Sequence, residues 1–95
     1  MLETLTSSFN KLELLVELSI IKAKIIKIPE FIGNFKSLKY LNLSENLINE
    51  LPHSIGKLTS LQSLILAYNQ LSTLPNSFSD LKTLTILNLS GNYFD

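Results

Sequence analysis

Residues 38–60 read Leu38-Lys39-Tyr40-Leu41-Asn42-Leu43-Ser44-Glu45-Asn46-Leu47-Ile48-Asn49-Glu50-Leu51-Pro52-His53-Ser54-Ile55-Gly56-Lys57-Leu58-Thr59-Ser60. Twenty-three residues on, the pattern returns as Leu61, Leu64, Leu66, Asn69, Leu71, Leu74, Pro75, Phe78 and Leu81. A third copy opens at Leu84 and continues through Leu87, Leu89 and Asn92. Self-similarity at a fixed period of this size predicts a stack of small units, none able to bury its apolar face alone.

The same period runs backwards. Leu15, Leu18, Ile20, Ile25, Ile28, Ile32 and Phe35 fall on the template, with Pro29 and Gly33 at the places of Pro52 and Gly56. Ala23 stands where an asparagine is expected. One step further back, Leu2, Leu5, Phe9 and Leu12 fit, with Thr6 in place of the proline. The chain of 95 residues thus reads as one domain. It comprises a partial repeat at 1–14, full repeats at 15–37, 38–60 and 61–83, and a partial repeat at 84–95, with no linker.

Each front half alternates, Leu41 and Leu43 inward, Asn42 and Ser44 outward, the period of a short half-buried strand. Pro29, Pro52 and Pro75 end the ladder because proline has no N–H to give. Each rear half carries apolar residues three apart, enough for one turn of α- or 3-10 helix. His53-Ser54 and Asn76-Ser77 place capping side chains at the start of that turn. One strand and one return path per repeat make the strands parallel, ~4.8 Å apart. The bulkier return path bends the stack with the sheet inside.

Asn46, Asn69 and Asn92 fall where the strand ends and buried backbone groups need partners. A carboxamide both donates and accepts, so a column of them meets that need. Ala23 cannot, and a weaker rung is expected there. Residues one period apart become lateral neighbours, which pairs Lys22 with Glu45, Lys27 with Glu50 and Lys57 with Asp80, each worth ~0–1 kcal/mol at the surface. Gly33, Gly56 and Gly91 read as turn glycines rather than a phosphate cradle.

Composition removes several classes of function. Hydrophobic residues form 45% of the chain, too many for a disordered segment. Eight basic residues balance eight acidic ones without a one-sign run, so the footprint of a nucleic-acid binder is missing. With no cysteine there is no disulfide frame, thiol chemistry or zinc cluster, and the compartment stays open. No apolar run reaches the length of a spanning helix, and Met1-Leu2-Glu3-Thr4 does not open like a signal peptide. No cofactor is implied.

The pattern Leu-x-x-Leu-x-Leu-x-x-Asn-x-Ile/Leu-x-x-Leu-Pro-x-x-Ile/Phe resembles the leucine-rich repeat family over the whole chain. Leu51-Pro52-x-x-Ile55-Gly56-x-Leu58 resembles its short Leu-Pro subtype, which occurs in Ras-pathway scaffolds, plant intracellular repeat proteins and small repeat proteins of bacteria such as spirochaetes. The resemblance implies an α/β solenoid, a horseshoe segment with a parallel β-sheet on the concave face and short helical or 3-10 turns on the convex one. It also implies a module that binds a protein partner on that sheet. Ala23, Thr6 and the lack of capping modules depart from the family pattern.

Outward strand positions then form the expected partner-binding face: Glu17, Tyr40, Ser63 and Ile86 in one column, Ser19, Asn42, Ile65 and Asn88 in the next, Ile21 and Ser44 in a third, with Tyr68 flanking. Tyr40, Ile65, Ile86, Ile21 and Tyr68 put apolar or aromatic groups where polar ones are usual, and tyrosine is favoured at binding hot spots. Catalysis lacks a basis. His53 is the only histidine, at a loop place held by Glu30 and Asn76 in sister repeats, with no carboxylate fixed to orient it. The carboxylates are scattered without metal-loop spacing. Asn42-Leu43-Ser44 and Asn88-Leu89-Ser90 match glycosylation sequons, yet both follow from the repeat itself. A second expectation concerns assembly. A front half without a rear at 84–95 and a rear half without a front at 1–14 could complete one another between molecules, end to end or by segment exchange.

Overall fold

A computed structural model describes residues 13–94. Four three-residue strands, β1 (Glu17–Ser19), β2 (Tyr40–Asn42), β3 (Ser63–Ile65) and β4 (Ile86–Asn88), form one parallel sheet in chain order. Leu18 pairs with Leu41, Leu41 with Leu64 and Leu64 with Leu87, so side chains 23 residues apart stack directly. The partial repeat read at 1–14 lies, except for Glu13 and Leu14, outside the described residues.

Each of β1, β2 and β3 is followed by a five-residue 3-10 turn, at Glu30–Asn34, His53–Lys57 and Asn76–Asp80, and these turns stack behind the sheet. Between the two layers Leu41, Leu43, Ile48, Ile55, Leu58, Leu61, Leu64 and Leu66 join one continuous core that also takes in Ile25, Ile32, Phe35 and Leu38. Burial of this column is the main stabilising term, since each buried Leu or Ile is worth about 1.5–3 kcal/mol over an exposed one.

The caps differ from the expectation. The N-cap of every turn is the proline itself, in extended conformation and without a side-chain cap bond. Proline sets φ and the next residues enter the turn, so the neighbouring serines are free for other work. Ser77 Oγ donates to the carbonyl of His53 in the preceding coil, whereas Ser54 Oγ is buried without a partner.

The strand ladder runs past the strands into a column of left-handed residues, Lys22, Glu45, Tyr68 and Gly91, with φ between 58° and 74°. Of these only Gly91 adopts the conformation without a side-chain penalty. Gly33 and Gly56 lie in the stacked 3-10 turns without a left-handed φ, and a Cβ on Gly56 would lie 2.5 Å from the carbonyl oxygen of Ser77, and one on Gly33 2.9 Å from that of Ser54. Their role is close approach of one coil to the next.

Of the three expected charge pairs, one forms among the described residues: Lys22 Nζ lies 3.8 Å from a Glu45 carboxylate oxygen. The Lys57 stem lies back over Gly33, its Cδ 3.1 Å from where a Cβ would be, and so points away from Asp80. Lys27 and Glu50 share a lateral position without reaching ion-pair distance.

Candidate partner-binding face

Strand alternation sends Leu18, Leu41, Leu64 and Leu87 toward the turns and residues 17, 19, 40, 42, 63, 65, 86 and 88 to the concave side. The asparagine column holds the strand ends in place. Asn46 Oδ1 accepts from the N–H groups of Ala23 and Ile25 at 2.9 and 3.1 Å, and its Nδ2 donates to the carbonyls of Ile20 and Leu43, both at 2.9 Å. Asn69 repeats this toward Ile48 and Leu43, and Asn92 toward Leu71 and Leu66. Each carboxamide therefore serves its own coil and the one before it.

By that direction the N–H groups of Ala23 and Ile25 are met by Asn46, whereas the preceding coil, which a carboxamide at position 23 would serve, lies outside the described residues. An irregularity appears beside Ala23: Lys24 is left-handed at φ 59°, and the Lys22 N–H reaches Ser44 O at 3.4 Å where the two sister bonds measure 2.9 and 2.8 Å.

Six of the eleven expected face residues, Glu17, Ser19, Tyr40, Asn42, Ser63 and Ile65, line one open cavity of about 390 Å³, together with Leu18 and Leu41. Those two leucines escaped notice in the sequence because alternation assigns them to the core. Glu17, Ser19 and Tyr40 are exposed, and Asn42, Ser63 and Ile65 half-buried. Ile86 and Asn88 stand exposed on β4, beyond this cavity, and Ile21 and Tyr68 on its flank.

Ser44 does not belong to the accessible face. It is buried, and its N–H and hydroxyl both go to Asn42 Oδ1, the N–H at 3.1 Å. The short side chain folds back on the strand to satisfy itself. Ser90 makes the same pair of bonds to Asn88 Oδ1, at 3.0 and 2.7 Å, while remaining exposed. Tyr68 is committed in part as well. Its ring lies over Gly91, where a Cβ would come within 2.4 Å of Cδ1.

Among the described residues no three His, Asp or Glu side chains gather as metal ligands, and no helix is long and apolar enough to cross a membrane. His53 is exposed at the start of a 3-10 turn on the convex side.

A stacked parallel sheet backed by 3-10 turns and tied by an asparagine column defines a solenoid class, and a family model described as a leucine-rich repeat region matches residues 5–93. The chain belongs to the leucine-rich repeat family. Solved structures agree. A leucine-rich repeat protein of Leptospira interrogans is 27% identical with a TM-score of 0.71, over 96% of this chain and 29% of that one. An internalin of Listeria monocytogenes is 30% identical with a TM-score of 0.76, over 97% and 27%. Toll of Drosophila, in complex with Spatzle, is 30% identical with a TM-score of 0.72, over 82% and 11%. The chain thus spans less than a third of the length of each of these structures. No curated protein matches it significantly.

Proposed function

We propose that the chain is a non-enzymatic protein-interaction module, a scaffold that takes a protein partner on the concave face of its sheet. The observation that carries this reading is the cavity across β1, β2 and β3, where Tyr40 is 44% exposed and Ile65 forms part of the wall on a rigid frame. Toll, a similar solenoid, is bound to Spatzle, which lends the reading further support. The contact residues are Glu17, Ser19, Tyr40, Asn42, Ser63 and Ile65, with Ile21, Tyr68, Ile86 and Asn88 at the margin. Among the described residues no assembly of nucleophile, base and orienting group favours catalysis, and no basic face favours nucleic acid.

The double substitution Tyr40→Ala with Ile65→Ala tests it. Both side chains are solvent-accessible, so circular dichroism should match the parent, while capture of protein partners on an affinity column should fall to background. Undiminished capture would count against the face.

A second reading is self-association through the open end of the stack. It is favoured by Leu87, 43% exposed where its stacked counterparts Leu41 and Leu64 are at 1% and 0%. The free edge of β4 offers backbone groups to a further strand.

A further inference from the structure

The cavity also says something about the chemistry of its occupant, resting on the reading above that the concave face is the binding face. Of the outward strand positions only Glu17 is charged. Among the described residues no cation lies within ion-pair distance of it, since the one pair formed is Lys22 with Glu45. Glu17 pairs in register with Tyr40, so their backbones lie ~4.8 Å apart on adjacent strands and a carboxylate and an exposed aromatic side chain rise side by side from the sheet. A carboxylate beside an aromatic face suits a guanidinium, which accepts bidentate pairing at its edge and stacks by its plane. An ammonium is attracted to both as a point charge but offers neither the bidentate edge nor the stacking plane.

Asn42 fixes a second feature. Its Oδ1 is occupied by the N–H and hydroxyl of Ser44, so what it offers the cavity is the Nδ2–H pair, a donor for a carbonyl. Ile65 gives the third, an apolar wall two strands from Glu17. Ile65 is in register with Ser19, so it lies two strand spacings (~10 Å) across and two residues (~7 Å) along from Glu17, a diagonal of ~12 Å that three to four residues of an extended chain span at ~3.3 Å each.

We propose that the cavity seats an extended peptide segment of the partner that crosses the strands obliquely, with an arginine on Glu17 and Tyr40, a backbone carbonyl on Asn42, and an apolar side chain three or four residues from the arginine against Ile65. The negative carboxylate selects a cationic segment, and the half-buried wall selects what accompanies it.

The test is selection of a display library of random linear peptides on the immobilised full chain, followed by fluorescence anisotropy with the most enriched sequence as a labelled synthetic probe. Arginine with an apolar residue three or four positions away, on either side, should be enriched. Glu17→Gln should weaken the probe by about tenfold or more, the worth of a charge-assisted bond. Glu17→Lys should abolish its binding and accept the probe in which glutamate replaces that arginine. Glu17 is exposed, so both variants should keep the parent's circular dichroism. No enrichment, enrichment without arginine, or arginine probes that bind Glu17→Gln as well as the parent each overturn the inference. If such probes are nonetheless lost on Tyr40→Ala with Ile65→Ala, the concave face stands and only its cationic preference falls. Probes indifferent to both sets of variants count against both.

Discussion

Asn46 is 4% exposed, and its carboxamide holds two coils together through the N–H groups of Ala23 and Ile25 and the carbonyls of Ile20 and Leu43. Removing it orphans two buried N–H groups, each at a cost of about 1–3 kcal/mol. Asn46→Ala should therefore lower the free energy of unfolding in urea by about 2–6 kcal/mol, a large share of the ~5–15 kcal/mol available to a domain. Asn92→Ala should cost less, about 1–2 kcal/mol, because its column position is part-buried and water can replace it. Equal losses at the two positions would contradict the burial gradient along the asparagine column. Gly91 tests a different cause. Its φ is +74° and the Tyr68 ring covers it, so Gly91→Ala should cost about 1–2 kcal/mol and displace the ring, read as a change in tyrosine fluorescence. The asparagine column was legible in the sequence because its spacing matches the period. Its direction was not. Which coil a carboxamide serves depends on how the backbone turns after the strand, and residue identity does not encode that. Ser44 failed for a related reason: alternation points it outward, but its hydroxyl turns back onto Asn42 and the neighbouring coils cover it, whereas Ser90 makes the same bonds on β4's coil and stays exposed.

The 3-10 turns show what the elements demand of one another. Proline opens each turn, and the backbone N–H of Phe35, Leu58 and Leu81 closes it onto a carbonyl three residues back. The turns then stack more closely than two side-chain layers allow, with Gly33 against Ser54 and Gly56 against Ser77. The period located these glycines correctly, whereas their task could be seen only once the coils were packed. Gly56→Ala would drive a Cβ to 2.5 Å from a backbone oxygen, which cannot yield as a flexible side chain does. The turns must separate, and the expected loss is about 1–3 kcal/mol, the usual cost of overpacking. Ser54 makes the opposite case. Its hydroxyl is buried without a partner, so Ser54→Ala should leave the thermal midpoint unchanged or raise it slightly, as a group that makes no bond costs nothing to remove. A marked fall in midpoint would reveal a bond to Ser54 and change the account of how these turns meet.

At the scale of the molecule, stability in a solenoid accumulates from coil to coil and ends at whatever the last coil exposes. Leu64 lies within the stack at 0% exposure, and Leu87, its register partner, lies at the margin at 43%. The same residue in the same repeat position thus has two energetic roles. Leu64→Ala should cost about 2–5 kcal/mol and Leu87→Ala distinctly less, since water already reaches it and no closed cavity is left. The proposed self-association rests on the same asymmetry. Among the described residues no strand pairs beyond β4, where Ile86 and Leu87 are exposed, and such edges recruit further strands unless a charge blocks them. If the open end drives self-assembly, sedimentation velocity should show mass rising with concentration in the parent, and Leu87→Lys should return it to monomer with the fold intact. The concave-face substitutions at Tyr40 and Ile65 should leave that behaviour untouched, because their side chains lie on the hollow side and away from the β4 edge. A parent monomeric across the whole concentration range would remove assembly from consideration and leave the concave cavity as the sole basis for partner binding.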